Sequence, residues 1–291
     1  AAARLGALEE ALDALARVES VHPSEADGGG ARLVVALADG RRVESVLLPR
    51  GGVCVSTQVG CAVGCRFCMT GTLGLERQLS AAEILAQVVL ARRRQPVRRV
   101  VFMGMGEPAH NLEEVLRAVT TLSLQGDLRR KELVVSTVGD ARTFARMAAN
   151  EVRPALALSL HTTDPALRAE LLPRAPRVDP LALIELALDY SDRAGCPLQV
   201  QWTLLAGRND GDEELERLIA ALRGRRAVVN FIPYNPVAGF DHARTSRART
   251  HEMTRALHAA GLLAKRRDSA GQDVDAACGQ LRARLGEGSV V

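Results

Sequence analysis

Aromatic side chains are scarce in this sequence: one Trp, two Tyr and five Phe make up 3% of 291 residues. That excludes a stacking platform built from aromatic faces, so any stacking against a nucleobase falls to arginine planes, Trp202 or Tyr234. Lysine is nearly missing, with only Lys131 and Lys265 present, and arginine carries the rest of the positive charge. This skew reflects a GC-rich genome more than a function. No apolar run approaches the roughly 18 residues that a membrane-spanning helix needs. The stretch Ala1–Arg17 mixes Arg, Glu and Asp with Leu and Ala, and so lacks the apolar core of a signal peptide. The expectation is a cytoplasmic monomer with no membrane partner. Neither sign of charge dominates, since the formal net charge is +4. The basic residues do cluster, at 92–94 with Arg98 and Arg99, at 129–131, at 223–226, at 244–249 and at 265–267. Such clusters can neutralise phosphates or form solvated faces.

Six cysteines are present, and four of them (Cys54, Cys61, Cys65 and Cys68) lie within fifteen residues; Cys196 and Cys278 stand apart. In a cytosolic chain this density points to metal or catalytic use rather than a disulfide framework.

Leu5, Leu8, Leu12, Leu15 and Val18 recur every three or four residues and predict an amphipathic first helix. His22–Gly30 reads as a loop, and two apolar runs, Arg32–Leu37 and Arg42–Leu48, flank Asp39-Gly40 as a β-hairpin. Beyond Val53 short β-branched runs alternate with helical segments. The predicted strands are Val53–Val59, Arg99–Met103, Glu132–Ser136, Ala155–Leu160, Gln199–Leu205 and Ala227–Pro233. The predicted helices lie near Ala81–Arg94, Asn111–Leu124, Ala141–Ala149, Pro180–Ala194, Asp212–Leu222 and Arg247–Ala260, and Ser80 with Glu83 forms a capping box ahead of the first. Consecutive β/α units imply an α/β fold with a parallel sheet, open or curled into a partial barrel. In such barrels the site forms at the C-terminal ends of the strands.

Cys61, Cys65 and Cys68 form a CxxxCxxC triplet. Thiolates are the usual ligands of iron–sulfur clusters, which ordinarily take four. Three close cysteines leave one iron of a [4Fe–4S] cluster open. There S-adenosylmethionine (SAM) can chelate through its amino and carboxylate groups, and an electron from the cluster can cleave its C–S bond. Gly60 and Gly64 permit the tight loop. The competing assignment is a zinc site, for which Cys54 is a poorly placed fourth ligand.

Further segments extend the pattern: Val43–Pro49 (VESVLLP), Cys54–Cys61 (CVSTQVGC), Met103–Pro108 (MGMGEP), Ser136–Gly139 (STVG), Leu158–His161 (LSLH), Ile232–Pro236 (IPYNP) and Asp275–Gln280 (DAACGQ). With these the chain resembles the radical SAM adenosine-C2/C8 RNA methyltransferases, the RlmN/Cfr family, from about Glu44 to Leu281. The resemblance implies a partial (β/α)6 barrel over residues 51–262, a short helix–hairpin extension over 1–50 and a catalytic tail over 263–291. It implies a [4Fe–4S] cluster on Cys61, Cys65 and Cys68, with SAM held by Gly106, Glu107, Ser136, Ser159, Leu160, His161 and Asn235. The loop glycines let the backbone approach the amino-acid end of SAM, and Glu107 can accept from its ammonium. Taken alone, the MGMGEP segment also reads as a bare turn, and His161 as an ordinary core histidine.

Two SAM molecules are consumed per turnover in that family. The position of Cys278 is methylated by the first. A radical derived from the second takes hydrogen from the S-methyl group, whose carbon adds to the adenine ring. The position of Cys54 then resolves the protein–RNA adduct by forming a disulfide with Cys278. Glu44 matches a glutamate proposed to assist proton removal; sharing a strand face with Val46 and Leu48, it is expected to point inward, where burial raises a carboxyl group's pKa. Cys196 matches nothing and reads as inert.

The implied substrate is an adenosine of 23S rRNA, or of tRNA, and C2 ranks above C8 because nothing singles out the C8 branch. A flavodoxin or ferredoxin is the implied electron donor. The sequence departs from the family pattern in three places. Most of the usual N-terminal helical domain is expected to be missing ahead of Cys54, Met69 follows Cys68 where a small residue is usual, and residues 266–273 differ from the usual basic-Gly-acidic run. These departures bear on which substrate is used. The alternatives are a related radical SAM enzyme acting on another RNA or a small molecule, and a zinc-stapled RNA-binding module.

Overall fold

A computed structural model of the chain describes residues 2–25, 28–237, 239–268 and 271–282, with the side chains of residues 2–5 and Leu8 left out. The first-helix positions Leu5 and Leu8, Ala26 and Asp27 of the expected loop, and residues 269–270 and 283–291 of the tail therefore lie outside the described set. Helix α1 (Ala2–Leu15) runs straight into strand β1 (Ala16–Pro23), which pairs antiparallel with β2 (Ala31–Leu37). Two expectations are corrected here. Val18 belongs to a strand, and the loop is shorter than His22–Gly30 because His22 and Pro23 pair with Arg32 and Ala31. A register shift between Val18 and Ser20 breaks the two-residue alternation of β1, so its sequence pattern is not that of a regular strand. β2 turns through Asp39-Gly40 into β3 (Arg42–Leu48), with Gly40 at φ +80° as the hairpin reading requires.

The predicted strand Val53–Val59 divides in two. β4 (Gly52–Cys54) stays in the main sheet, whereas β5 (Gln58–Gly60) leaves it and pairs with β6 (Leu75–Gln78) in a separate ribbon. The break comes where other partners take the backbone: Ser56 N–H and C=O bond the Gln87 side chain at 2.9 and 3.0 Å, and Thr57 N–H bonds Met105 O at 2.8 Å. Between β5 and β6 lies the short helix α2 (Met69–Thr72). There follow α3 (Ala81–Arg92), β7 (Arg99–Phe102), α4 (Leu112–Leu124), β8 (Leu133–Thr137), α5 (Ala141–Ala149), β9 (Ala155–Ser159), α6 (Pro165–Leu171), α7 (Pro180–Ala194), β10 (Leu198–Leu204), α8 (Asp212–Leu222), β11 (Ala227–Pro233), α9 (Arg247–Ala259) and β12 (Leu263–Arg266). α6, β6 and β12 are additions to the sequence reading. Asp164-Pro165 is the signal for α6, since the Asp164 carboxylate accepts from the N–H groups of Ala166 and Leu167.

One ladder runs β1-β2-β3-β4-β7-β8-β9-β10-β11-β12. It is antiparallel up to the β3–β4 pair and parallel from β4 to β12. Among the described residues its two ends do not pair, so the parallel part is an incomplete barrel. Its inner strands are almost continuously buried, as expected for strands covered on both faces. Trp202 on β10 is fully buried, edge-on to Phe231 of β11 with ring centroids 6.5 Å apart, and its indole N–H donates to Asn209 O at 3.2 Å. Trp202→Ala is expected to cost about 3–5 kcal/mol of unfolding free energy, read from the urea midpoint. An unchanged midpoint would contradict this account of the core.

Candidate active site

The ribbon of β5 and β6 frames the cysteine loop at its base. Cys61 N–H bonds Gly74 O at 2.8 Å, and at Gly60 (φ +78°) a Cβ would stand 1.9 Å from that same oxygen, so only glycine fits. A second apolar cluster, distinct from the main core, seats the loop: Val63 and Phe67 pack with Leu171, Leu172 and Tyr234. Arg66 N–H reaches Leu171 O at 2.9 Å, which makes α6 the shelf beneath the loop.

The three thiols share one environment. Burial pushes Cys61 up to about 12, opposed by the N–H groups of Val63 and Gly64 and reinforced by the charges of Glu107 and Cys68. Burial also raises Cys65, with Cys68, Cys61 and Glu107 adding to it. Cys68 is raised by burial against N–H groups of Gly71 and Thr70 and the Thr70 hydroxyl. As thiols they hold their protons, and a coordinating metal centre removes them outright. Among the described residues no three His, Cys, Asp or Glu side chains are arranged to hold a single metal ion.

The predicted cofactor residues come together at the C-terminal ends of the parallel strands. After β7, Gly106 adopts φ +106°, and a Cβ there would meet the Gln58 side chain at 2.7 Å and Thr57 Oγ1 at 2.8 Å. Glu107 is buried, with Oε1 accepting from Ala109 N–H at 2.9 Å and Oε2 from Val138 N–H at 3.1 Å. Burial pushes its carboxyl group up, while the Thr137 hydroxyl and those two N–H groups oppose the rise. Ser136 at the end of β8 and Ser159 at the end of β9 are bonded hydroxyl to hydroxyl at 3.2 Å. Leu160 is fully buried, and His161 follows it in the left-handed region at φ +66°. His161 Nδ1 accepts from Thr203 N–H at 3.0 Å, and burial, helped by the charge of Arg168, holds the ring down to about 3. Its ring lies 4.7 Å from that of Phe67 in the cysteine loop. Asn235, two residues past β11, donates to Cys278 O at 3.1 Å.

The tail closes the site. Met69 N–H bonds Gly279 O at 2.6 Å, and the Thr70 hydroxyl donates to Leu281 O at 2.7 Å. Gly279 (φ +88°) passes so near the loop that a Cβ would stand 2.8 Å from Phe67 O. Cys278 is exposed, yet close enough for its charge to raise both Cys54 and Cys68. Cys54 is buried, and burial lifts its thiol far above the usual range, with Cys278 adding to this. All six cysteines are free thiols, so the Cys54–Cys278 disulfide implied by the resemblance is not formed in this structure. Glu44 is fully buried, as expected, and its carboxylate bonds Arg32 at 2.6 Å and Arg282 N–H at 3.0 Å. Cys196 lies before β10, at the strand end opposite the site.

Residues 55–222 match the model of the Radical SAM superfamily. This chain belongs to that superfamily. It is 62% identical to a probable RNA methyltransferase of Aromatoleum aromaticum over 97% of its own length and 79% of that protein's. A probable RNA methyltransferase of Thiobacillus denitrificans is also 62% identical, over 96% of this chain and 77% of that one. Among solved structures, a radical SAM methyltransferase from Sphaerobacter thermophilus superposes with a TM-score of 0.87 at 37% identity, covering 92% of this chain and 82% of that one.

Membership of the radical SAM superfamily implies a [4Fe–4S] cluster and SAM, and the residues present fit both. The donor set is three sulfurs, on the buried Cys61 and the half-buried Cys65 and Cys68, of which Cys61 and Cys68 face backbone N–H groups. At the strand ends two buried polar atoms, Thr57 Oγ1 and Arg168 Nε, have no partner among the described residues. Arg168 on α6 escaped the sequence reading. It is 3% exposed, donates to Val138 O at 2.9 Å, and makes no ion pair among the described residues. Burial lowers it to about 10 against the pull of Cys65 and Glu107. A buried cation facing the cluster thiols is a charge match for an anionic centre. Its only sequence signal is an arginine seven positions after His161, which is indistinguishable from the other arginines. One expectation fails: Trp202 and Tyr234 are buried at 0% and 1% exposure, so neither presents a face to a base in this structure.

Proposed function

We propose that this chain is a radical SAM methyltransferase that methylates a ring carbon of an adenosine in RNA, with C2 the preferred position. The observation that carries the reading is Cys278, held beside the cysteine loop by the Met69 N–H to Gly279 O bond at 2.6 Å and the Asn235 bond to Cys278 O at 3.1 Å, where its charge reaches both Cys54 and Cys68. The relatives' description as probable RNA methyltransferases supports RNA as the substrate. So does the distribution of basic residues. The clusters at 92–99, 129–131 and 223–226 lie before or at the start of β7, β8 and β11, at the strand ends away from the site. Arg244, Arg247 and Arg266 instead line a cavity of about 260 Å³ beside Pro233, at the end of β11 next to the site.

Cys61, Cys65 and Cys68 would hold the cluster. Gly106 and Glu107 would take the amino-acid end of SAM, with Ser136, Ser159–His161 and Asn235 along the nucleoside. When bound, the cluster supplies the electron that cleaves the C–S bond of SAM. The Cys278 thiolate takes the methyl group of a first SAM, displacing S-adenosylhomocysteine. The S-methyl group on Cys278 would then give up a hydrogen atom to the radical derived from a second SAM, and its methylene carbon would add to the adenine ring. C2 is electrophilic, so it accepts a nucleophilic carbon radical although it resists a methyl cation. The ring radical would give its unpaired electron back to the oxidised cluster and lose the C2 hydrogen as a proton. The Cys54 thiolate then attacks the Cys278 sulfur, the S–C bond breaks, the departing carbon takes up a proton to become the methyl group, and the disulfide forms. Cysteine suits both steps because the thiolate is the nucleophile and the disulfide a stable exit. Residues 1–50, 51–262 and 263–291 then serve as extension, core and catalytic tail.

Anaerobically reconstituted protein, methyl-labelled SAM, a reductant of the flavodoxin or ferredoxin class and total RNA test the reading. Label is expected in RNA, with mass mapping to 2-methyladenosine. Absence of label from RNA would overturn it.

A further inference from the structure

The N-terminal hairpin grips the tail on both sides of Cys278. On one side Asp273 accepts from the Ser24 hydroxyl at 2.7 Å and from Glu25 N–H at 2.8 Å. On the other, Arg282 N–H donates to Glu44 Oε2 at 3.0 Å across 238 residues of sequence. The second oxygen of Glu44 is held by Arg32 at 2.6 Å, and the two side chains are 0% and 7% exposed. Ser56 Oγ fixes the strand beneath by donating to Glu44 O at 2.6 Å. Two residues along β3, Val46 pairs with Cys54. A single strand thus bears the tail anchor and the neighbour of the second thiol.

We infer that Glu44 is a positioning residue whose buried carboxylate, aimed by Arg32, fastens the tail at Arg282 and thereby sets Cys278 against Cys54 and the cysteine loop. The resemblance gives this glutamate a proton-removing role. In the structure both of its oxygens are engaged in holding chain, and one of them holds the segment that carries Cys278. A charge-assisted bond from a buried carboxylate to a backbone N–H is among the stronger tethers a short tail can have. Only three residues separate the tether from Cys278, short enough that losing it frees the sulfur. The consequence for turnover rests on the proposed methyltransferase reading; the anchor itself does not.

Two readouts on Glu44→Ala, Glu44→Gln and Arg282→Pro test it. The first is hydrogen exchange of the 271–282 peptide in the reconstituted protein. Loss of the tether should speed its exchange about tenfold or more in Glu44→Ala and in Arg282→Pro, which lacks the N–H donor. Glu44→Gln keeps an acceptor oxygen and should stay near the parent. The second is the rate at which SAM alone methylates Cys278, read by peptide mass. It should fall in the same two variants and be rescued in Glu44→Gln, because an amide can hold the tail but cannot take a proton. Parent-like exchange and parent-like Cys278 methylation in Glu44→Ala, with protein–RNA adduct accumulating instead, would overturn the inference in favour of a proton acceptor. Arg282→Pro carries the test should the Glu44 variants fail to take up iron. A parent chain that never methylates Cys278 would sink the methyltransferase reading, and exchange would still decide the anchor.

Discussion

Cys278→Ala is expected to abolish methylation of RNA, a loss of at least about a thousandfold for a missing covalent nucleophile, while reductive cleavage of SAM stays detectable. The side chain is exposed and its backbone contacts do not involve the sulfur, so the substitution leaves the Asn235–Cys278 O and Met69–Gly279 bonds in place. The cysteine loop and the strand-end residues are untouched, and 5′-deoxyadenosine production measures them independently. Unimpaired methylation by this variant would refute the covalent route. Cys54→Ala marks the other half of the pair: it should accumulate an RNA-bearing adduct on Cys278 that nuclease digestion shrinks. The pH dependence of resolution follows from the burial of Cys54. Its thiol titrates far above the ordinary value, so the thiolate fraction rises about tenfold per pH unit across the neutral range, and resolution accelerates with it. An ordinary thiol levels off at about pH 8.5 to 9, so a rate that does the same would mean a thiol without this shift.

Cys65→Ala is expected to remove nearly all cluster-bound iron and sulfide, together with the brown absorption near about 400 nm that thiolate-bound clusters give. In the proposed cluster each of the three thiols would answer to one iron, and the other cysteines lie off the loop: Cys54 is bound into β4, and Cys278 sits on the tail. SAM cleavage should fall with the iron, whereas urea unfolding should change little because the loop rests on Val63, Phe67 and α6 rather than on Cys65 alone. Analysis of the parent protein sets the reference. Tetrahedral zinc in place of iron and sulfide would sink the cluster assignment and every step built on it.

Six parallel strands and the helices between them were legible in the sequence because β-branched runs and amphipathic segments report burial locally. The boundary errors have local causes too. β1 was hidden by a bulge beside Val18, and the strand at Val53–Val59 was cut where Gln87 and Met105 took the backbone groups of Ser56 and Thr57. Among the described residues β12 pairs only with β11, and it carries an exposed Leu263, so it has little apolar signal to read.

The sequence alone determined the superfamily: the spacing of Cys61, Cys65 and Cys68 states a three-cysteine loop, and Met103–Pro108 or Asp275–Gln280 announce themselves as contiguous segments. Contacts made across long sequence separations were decided by the tertiary structure. It brought Arg168 beneath the cysteine thiols as a cation without an ion pair among the described residues, turned Trp202 and Tyr234 inward, and tied Arg282 to Glu44. None of these is written in a local pattern, because an arginine, a tryptophan or a buried glutamate looks the same in sequence whichever partner the fold supplies. Local periodicity records how much water each residue loses; which atoms replace that water depends on strands and loops meeting from distant parts of the chain.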